Sequence, residues 1–125
     1  MKVDSKTVRV LIVDDQESFR SAARLVVELS DGFELIGEAE TGEEAVELVA
    51  ELSPQLVLMD IKMPGIDGLE ATRRIIDAHP DVRVVVLSTY EASEYESRAL
   101  AAGAVAFLSK SDFDPGTLVT AWVGI

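Results

Sequence analysis

Four short stretches of the sequence carry residue types that can act together on a phosphoryl group. They are Asp14-Asp15, Asp60, Ser88-Thr89 and Lys110. Carboxylates crowded together repel, and each tends to hold its proton unless a cation intervenes. A hard divalent ion with oxygen ligands resolves that conflict. Mg²⁺ characteristically takes one or two carboxylates, keeps several waters and accepts phosphate oxygens. A carboxylate can itself attack phosphorus, giving an acyl phosphate. A lysine places a point charge against phosphoryl oxygens, and a Ser or Thr hydroxyl can donate a hydrogen bond to one of them. These residue types suit Mg²⁺-assisted phosphoryl transfer, where positioning and charge neutralisation do most of the catalysis.

Each residue also has a plainer reading when taken alone. Asp14-Asp15 could equally cap a helix beginning near Glu17, Ser88 could be a turn hydroxyl, and Lys110 a solvated charge. The elements that carry these residues separate the two readings. Five apolar, β-branched-rich runs alternate with helix-like stretches: Val8–Val13, Phe33–Gly37, Leu56–Met59, Val82–Leu87 and Ala104–Leu108. The first, third and fourth are almost continuously apolar, as strands buried on both faces of a parallel sheet are. The second alternates imperfectly, with Phe33, Leu35 and Gly37 against Glu34, Ile36 and Glu38, which predicts a more exposed edge strand.

Between the runs, Phe19, Ala22, Ala23, Val26 and Leu29 follow the helical i, i+3, i+4, i+7 pattern, as do Ala45, Val46, Val49 and Leu52. Capping-box spacing recurs at Thr41 to Glu44, Asp67 to Glu70 and Ser93 to Glu96. Asp114-Pro115 sets a cap residue before a proline at the first helical position, and Gly103 suits a helix C-terminus. The last helix is short and carries Trp122, expected in core packing; His79, before Pro80, is expected at the surface. The predicted order is therefore βαβαβαβαβα, a parallel sheet with helices on both faces. In such sheets ligands bind outside the carboxyl ends of the strands. The first run ends at Asp14-Asp15, the third at Asp60, the fourth at Ser88-Thr89 and the fifth at Lys110, whereas the second offers only Glu38 and Glu40. Their joint placement favours chemistry over coincidence.

Composition narrows the classes further. The chain has 125 residues, near the commonest size for one domain, and 48 % of them are hydrophobic, so a packed core is expected. It contains no cysteine, which excludes disulfides, thiolate metal sites and a cysteine nucleophile. The formal net charge of −12 disfavours direct binding to nucleic acid and leaves an acidic cleft receptive to cations. The polar segment from Met1 to Thr7 lacks the apolar stretch of a signal peptide, and no run is long enough to span a membrane. A cytoplasmic location is the expectation. Gly65 and Gly68 form no dinucleotide fingerprint.

Three strings carry a resemblance that covers about Val8 to Ala121. Val10-Leu11-Ile12-Val13-Asp14-Asp15, the stretch from Leu58 through Asp60, Lys62, Met63, Pro64 and Asp67 to Gly68, and Val86-Leu87-Ser88-Thr89 followed by Gly103-Ala104 and Phe107-Leu108-Ser109-Lys110 resemble the receiver domain of two-component response regulators. They are similar in particular to the branch that carries a C-terminal helix-turn-helix output domain. The resemblance implies a single receiver domain over residues 1–125, with a core of about 8–123. It also implies a flavodoxin-like, CheY-like α/β fold with strand order 2-1-3-4-5. It makes Asp60 the phosphoacceptor. Asp15 and Asp60 would ligate Mg²⁺ directly, Asp14 through water, and Lys62 through its backbone carbonyl. Lys110 would pair with the phosphoryl group, and Ser88 and Phe107 would be the switch residues. The implied donor is a sensor histidine kinase. The implied output is transcription regulation through a DNA-binding domain outside this chain, with the domain catalysing only its own phosphorylation and dephosphorylation.

The sequence departs from that family in places. Ser111 follows Lys110 where proline is frequent, and Phe107 replaces a frequent tyrosine. The last helix is short, which bears on the homodimer face that many members build from the fourth helix, fifth strand and fifth helix. Two other classes compete. A phosphohydrolase with an Asp nucleophile usually wants a second acid two residues on, where Lys62 stands, and a cap domain to hold substrate. A receiver-shaped interaction module without phosphorylation would have no need to keep Asp14, Asp15, Asp60 and Lys110 together.

Overall fold

A computed structural model describes residues 7–89 and 93–124. Residues 1–6 and the cap expected from the Ser93 side chain lie outside the described residues. The strands are β1 (Val8–Val13), β2 (Phe33–Ala39), β3 (Leu56–Asp60), β4 (Arg83–Ser88) and β5 (Ala106–Ser109). The helices are α1 (Glu17–Glu28), α2 (Gly42–Leu52), α3 (Gly68–Ala78), α4 (Ser93–Ala101) and α5 (Pro115–Val123), with a 3₁₀ turn at Lys110–Asp112. All strand pairs are parallel, in the order β2-β1-β3-β4-β5. This is the expected flavodoxin-like order.

The continuously apolar runs are the three central strands. Every residue of β3 is buried, as are all but Arg9 in β1 and all but Arg83 in β4. Successive side chains point to opposite faces, so the sheet supports two cores. Leu11, Val13, Val57, Met59, Val84 and Val86 pack with Ala45 and Val49 of α2, Ile75 of α3 and Ala99 of α4. Val10, Ile12, Leu58, Val85 and Leu87 pack with Ala23 and Val27 of α1 and Leu118 of α5. Trp122 leans on this second core, edge-on to Phe33 with Arg83 over its ring. It thus sits at the amino ends of β2 and β4.

Several predicted boundaries move by a residue or two, each for a hydrogen-bonding reason. The Val82 N–H is taken by the His79 carbonyl, so β4 begins one residue later than expected. The Ala104 N–H is held by Ala99 O at the end of α4, and the ladder with β4 starts only at Ala106. At the other ends, Asp60 pairs with Leu87 and Glu38 with Ile12, which lengthens β3 and β2. The imperfect alternation of β2 marks an irregularity in register. Leu35 pairs with Val10 but Gly37 with Leu11, so Ile36 is inserted. Gly37 therefore faces Leu52 and Leu11 on the α2 side, not the side of Phe33 and Leu35. Glu38 returns to the face covered by α1.

The helix caps largely follow the sequence. Thr41 Oγ1 accepts the Glu44 N–H at 3.0 Å, and Asp67 Oδ1 accepts that of Glu70 at 2.9 Å. Asp114 and Thr117 form a reciprocal capping box with Pro115 beside it. Gly103 follows α4 with a φ of +112°. Two expectations are corrected. α1 buries Arg20, Ala23 and Val27, while Ala22 and Leu29 are exposed, so its inward face is rotated from the apolar pattern. His79, expected at the surface, is half-buried where it ends α3.

Candidate metal centre

The carboxyl ends of β1, β3, β4 and β5 bring the six singled-out residues to one mouth of the sheet. Asp14 follows the last buried residue of β1, and its N–H donates to Ala39 O at 3.0 Å, extending the β1–β2 pairing past the strand. Its side chain is fully buried, and Oδ1 accepts the Gln16 N–H at 2.8 Å. Gln16, not either aspartate, is the N-cap of α1, and its side chain makes no capping bond. The plainer capping role for Asp14-Asp15 is thereby removed.

Asp60 closes β3 and is 8 % exposed; Asp15 is exposed at the rim. One carboxylate oxygen from each of Asp14, Asp15 and Asp60 lies within 4.8 Å of the others. Lys110 Nζ sits 2.5 Å from Asp14 Oδ2 and 3.2 Å from Asp60 Oδ1, bridging the two buried carboxylates. Its ammonium also lies 4.5 Å from the centroid of the Phe19 ring, a cation–π distance. Burial, and then the charge of Asp14, push the Asp60 carboxyl up to about 6, while Lys110 and the Ile61 N–H pull the other way. A carboxylate group left this uneasy by its neighbours favours a further cation, and three hard oxygen donors within this span suit Mg²⁺. The residues present fit the metal.

A cleft of about 110 Å³ opens over them, lined by Asp15, Gln16, Asp60, Lys62, Thr89 and Lys110. Thr89 faces the cleft, whereas Ser88 is 1 % exposed at the end of β4, paired in the ladder with Ser109. Phe107 pairs with Val86 and packs half-buried against the α2–α3–α4 core. Strand alternation puts Val86 and Ser88 on one face, so Phe107 and Ser88 share a side of the sheet. Lys62 is exposed at the cleft edge, its ammonium 5.8 Å from the Tyr95 ring centroid on α4.

The Asp60-to-Gly68 stretch folds so tightly that a side chain at Gly68 has no room. A Cβ there would overlap the Asp60 carbonyl oxygen, and the Gly68 N–H donates to Ile61 O at 2.7 Å. Gly65, at φ +81°, lies under the Glu43 carboxylate, which accepts the Ile66 N–H at 3.1 Å. Phe19, Arg20 and Glu38 also surround the site but carry no motif. Glu38 was visible as a carboxylate at the end of the second run, and the signal for Arg20 was a charged residue at an inward helical position, three before Ala23 and seven before Val27.

The model for the response regulator receiver domain matches residues 10–122. The chain belongs to that family. This receiver domain is 45 % identical over 103 residues to the response regulator GacA of Pseudomonas protegens, covering 82 % of this chain and 48 % of GacA. It is 38 % identical over 120 residues to the transcriptional regulatory protein DegU of Brevibacillus brevis, covering 96 % and 50 %. Among solved structures, a two-component response regulator of the LuxR family from an Aurantimonas species superposes with a TM-score of 0.87 at 33 % identity, over 94 % of this chain and 84 % of that one. The receiver domain spans about half the length of these curated relatives. Among the described residues, no helix is long and apolar enough to cross a membrane.

Proposed function

We propose that the chain is one receiver domain, with a core of about residues 8–123, that accepts a phosphoryl group on Asp60 with Mg²⁺ held by Asp14, Asp15, Asp60 and the Lys62 carbonyl. The observation that carries this is the bridging of Asp14 and Asp60 by Lys110 beside the exposed Asp15, at the floor of a cleft open to solvent. When bound, Mg²⁺ supplies positive charge to the acidic cluster and to the oxygens of the incoming phosphoryl group.

The rest falls to the chain's own residues. A carboxylate oxygen of Asp60 forms the new bond to phosphorus while the donor's bond to phosphorus breaks and the leaving group departs with that electron pair. With its carboxyl at about 6, Asp60 is mostly ionised at neutral pH and able to attack. Lys110 stands close enough to both buried carboxylates to turn from Asp14 toward a phosphoryl oxygen on Asp60. Ser88, at the end of β4, would donate its hydroxyl to another, and Phe107 on the same face of the sheet would follow it inward. That change carries the signal to the face of β4, β5 and α4. Attack of water on phosphorus breaks the bond from phosphorus to the Asp60 oxygen, releases inorganic phosphate and returns the free carboxylate, which resets the switch.

The donor class is the phosphohistidine of a sensor kinase, with self-association on phosphorylation as a further step. The output is transcription, through a DNA-binding region of a longer protein in the cytoplasm; the net charge of −12 suits this domain to leaving the DNA contacts elsewhere. Incubation with acetyl phosphate, with and without Mg²⁺, followed by intact mass, tests the proposal. One phosphoryl adduct that needs Mg²⁺ and is absent in Asp60→Asn is expected. No adduct from any small donor would overturn it, and many turnovers of phosphoester per chain would make the protein a hydrolase instead.

A further inference from the structure

Arg20 is only 7 % exposed, and it stands in the α1 face that otherwise buries Ala23 and Val27. All three of its guanidinium nitrogens are engaged. Nη1 donates to the Asp14 carbonyl at 2.8 Å, Nη2 to Glu17 Oε1 at 2.8 Å, and Nε lies 3.3 Å from Glu38 Oε1. Glu38 is held a second time by Arg24, one turn further along α1, at 2.7 and 3.0 Å. The Asp14 carbonyl belongs to the peptide that joins Asp14 to Asp15. Whatever orients that peptide orients both acidic side chains that flank it.

We propose that Arg20 is a positioning residue for the metal centre: it locks the Asp14–Asp15 peptide to α1 and β2 so that the two carboxylates are held together beside Asp60. The proposal rests on the cluster being a Mg²⁺ site. A planar fork with one nitrogen on the carbonyl and the others on two carboxylates fixes direction as well as distance, which a lysine cannot reproduce. Groups that hold the ligands of a metal without touching it commonly change its affinity 10- to 100-fold when removed.

The sign of the effect separates positioning from charge. As a nearby cation, Arg20 opposes an incoming Mg²⁺. If its charge were all that mattered, Arg20→Met would tighten Mg²⁺ binding. If it positions the peptide, the same change loosens binding. Glu38 keeps its bidentate partner Arg24 in that variant, and Glu17, which loses Arg20, is exposed to water, so no buried carboxylate is stranded. Arg24→Met is the matched control, since it removes a Glu38 partner from the same helix but makes no contact with Asp14.

The test is calorimetric titration of the full chain with Mg²⁺ at a temperature well below unfolding, with thermal unfolding in EDTA run in parallel. Arg20→Met is expected to weaken Mg²⁺ binding by about tenfold, Arg20→Lys to recover part of that loss, and Arg24→Met to stay within about twofold of the wild type. Affinity for Arg20→Met within about twofold of the wild type, or tighter than it, would overturn the proposal, and so would an equal loss in Arg24→Met. Should Arg20→Met fail to fold, Arg20→Lys decides by the same twofold criterion. A wild-type chain that takes up no Mg²⁺ would overturn the receiver chemistry along with this inference. Uptake by the wild type that Asp15→Asn weakens and Arg20→Met does not would overturn the role of Arg20 alone.

Discussion

Replacing Asp60 with asparagine should stabilise the metal-free protein. Asp60 is buried and faces the charge of Asp14, and together these raise its carboxyl from 3.8 to about 6. In the unfolded chain the same group ionises at its ordinary value. Above about pH 6 the folded state therefore carries a carboxylate that it holds less willingly than the unfolded state does. At 1.36 kcal/mol per pH unit the gap amounts to about 3 kcal/mol against folding. Asparagine keeps the shape and removes the charge; the attraction to Lys110 is already counted in that gap, so a gain of up to about 3 kcal/mol, and at least about 1 kcal/mol once the amide has repacked, is expected. For a domain of this length that is an increase in Tm of about 3–10 °C. The pH dependence has a definite sign. The cost is fully present above about pH 6, shrinks as the folded wild type takes up its proton, and is gone below about pH 4, where both states are protonated. Thermal unfolding in EDTA from about pH 8 down to about pH 4 checks this. The advantage of Asp60→Asn should be largest at the alkaline end and fade toward the acid end. An Asp60→Asn variant no more stable than the wild type at about pH 8 would show that Lys110 already satisfies the carboxylate, and the reasoning would fail.

Three further outcomes follow from the same geometry. Lys110→Ala should still bind Mg²⁺, and more tightly, since a competing cation leaves Asp14 and Asp60, but it should lose the Mg²⁺-dependent conformational response to phosphorylation; amide exchange across β4 and β5 of the phosphorylated chain measures this, and a normal response would take Lys110 out of the mechanism. Gly68→Ala should cost about 2–3 kcal/mol or more in urea unfolding and depress phosphorylation, because its methyl group must displace the Asp60 carbonyl; a neutral result would mean that the turn relaxes freely. Asp114→Ala removes the carboxylate that accepts the Thr117 N–H, leaving only the backbone half of the α5 capping box, and should cost about 1 kcal/mol while leaving Mg²⁺ affinity unchanged.

The chemistry was easier to read in the sequence than the supports around it. Runs such as Val10–Val13 and Leu56–Met59 are unbroken because both faces of a central parallel strand are buried, and that alone places Asp14 and Asp60 at strand ends. The caps at Thr41, Asp67 and Asp114 were legible because a cap is a local hydrogen bond. What lay hidden was non-local. The insertion at Ile36 depends on how β2 docks against β1, and it reverses the faces of Gly37 and Glu38. The inward turn of α1 toward Arg20 depends on a carbonyl and a glutamate from two other segments. An apolar pattern scores Arg20 as surface, since burying a guanidinium is costly until its partners are known. Strand boundaries shifted for the same reason: the turns after α3 and α4 claimed the N–H groups of Val82 and Ala104.

The single tryptophan lies against Phe33 and Arg83, at the opposite end of the strands from Asp60. Its emission is therefore suited to reporting whole-molecule melting, away from direct contact with whatever sits among the acidic residues. Fluorescence melts of charged, chelated or phosphorylated samples can be laid over one another without correction for quenching by whatever sits in the cleft.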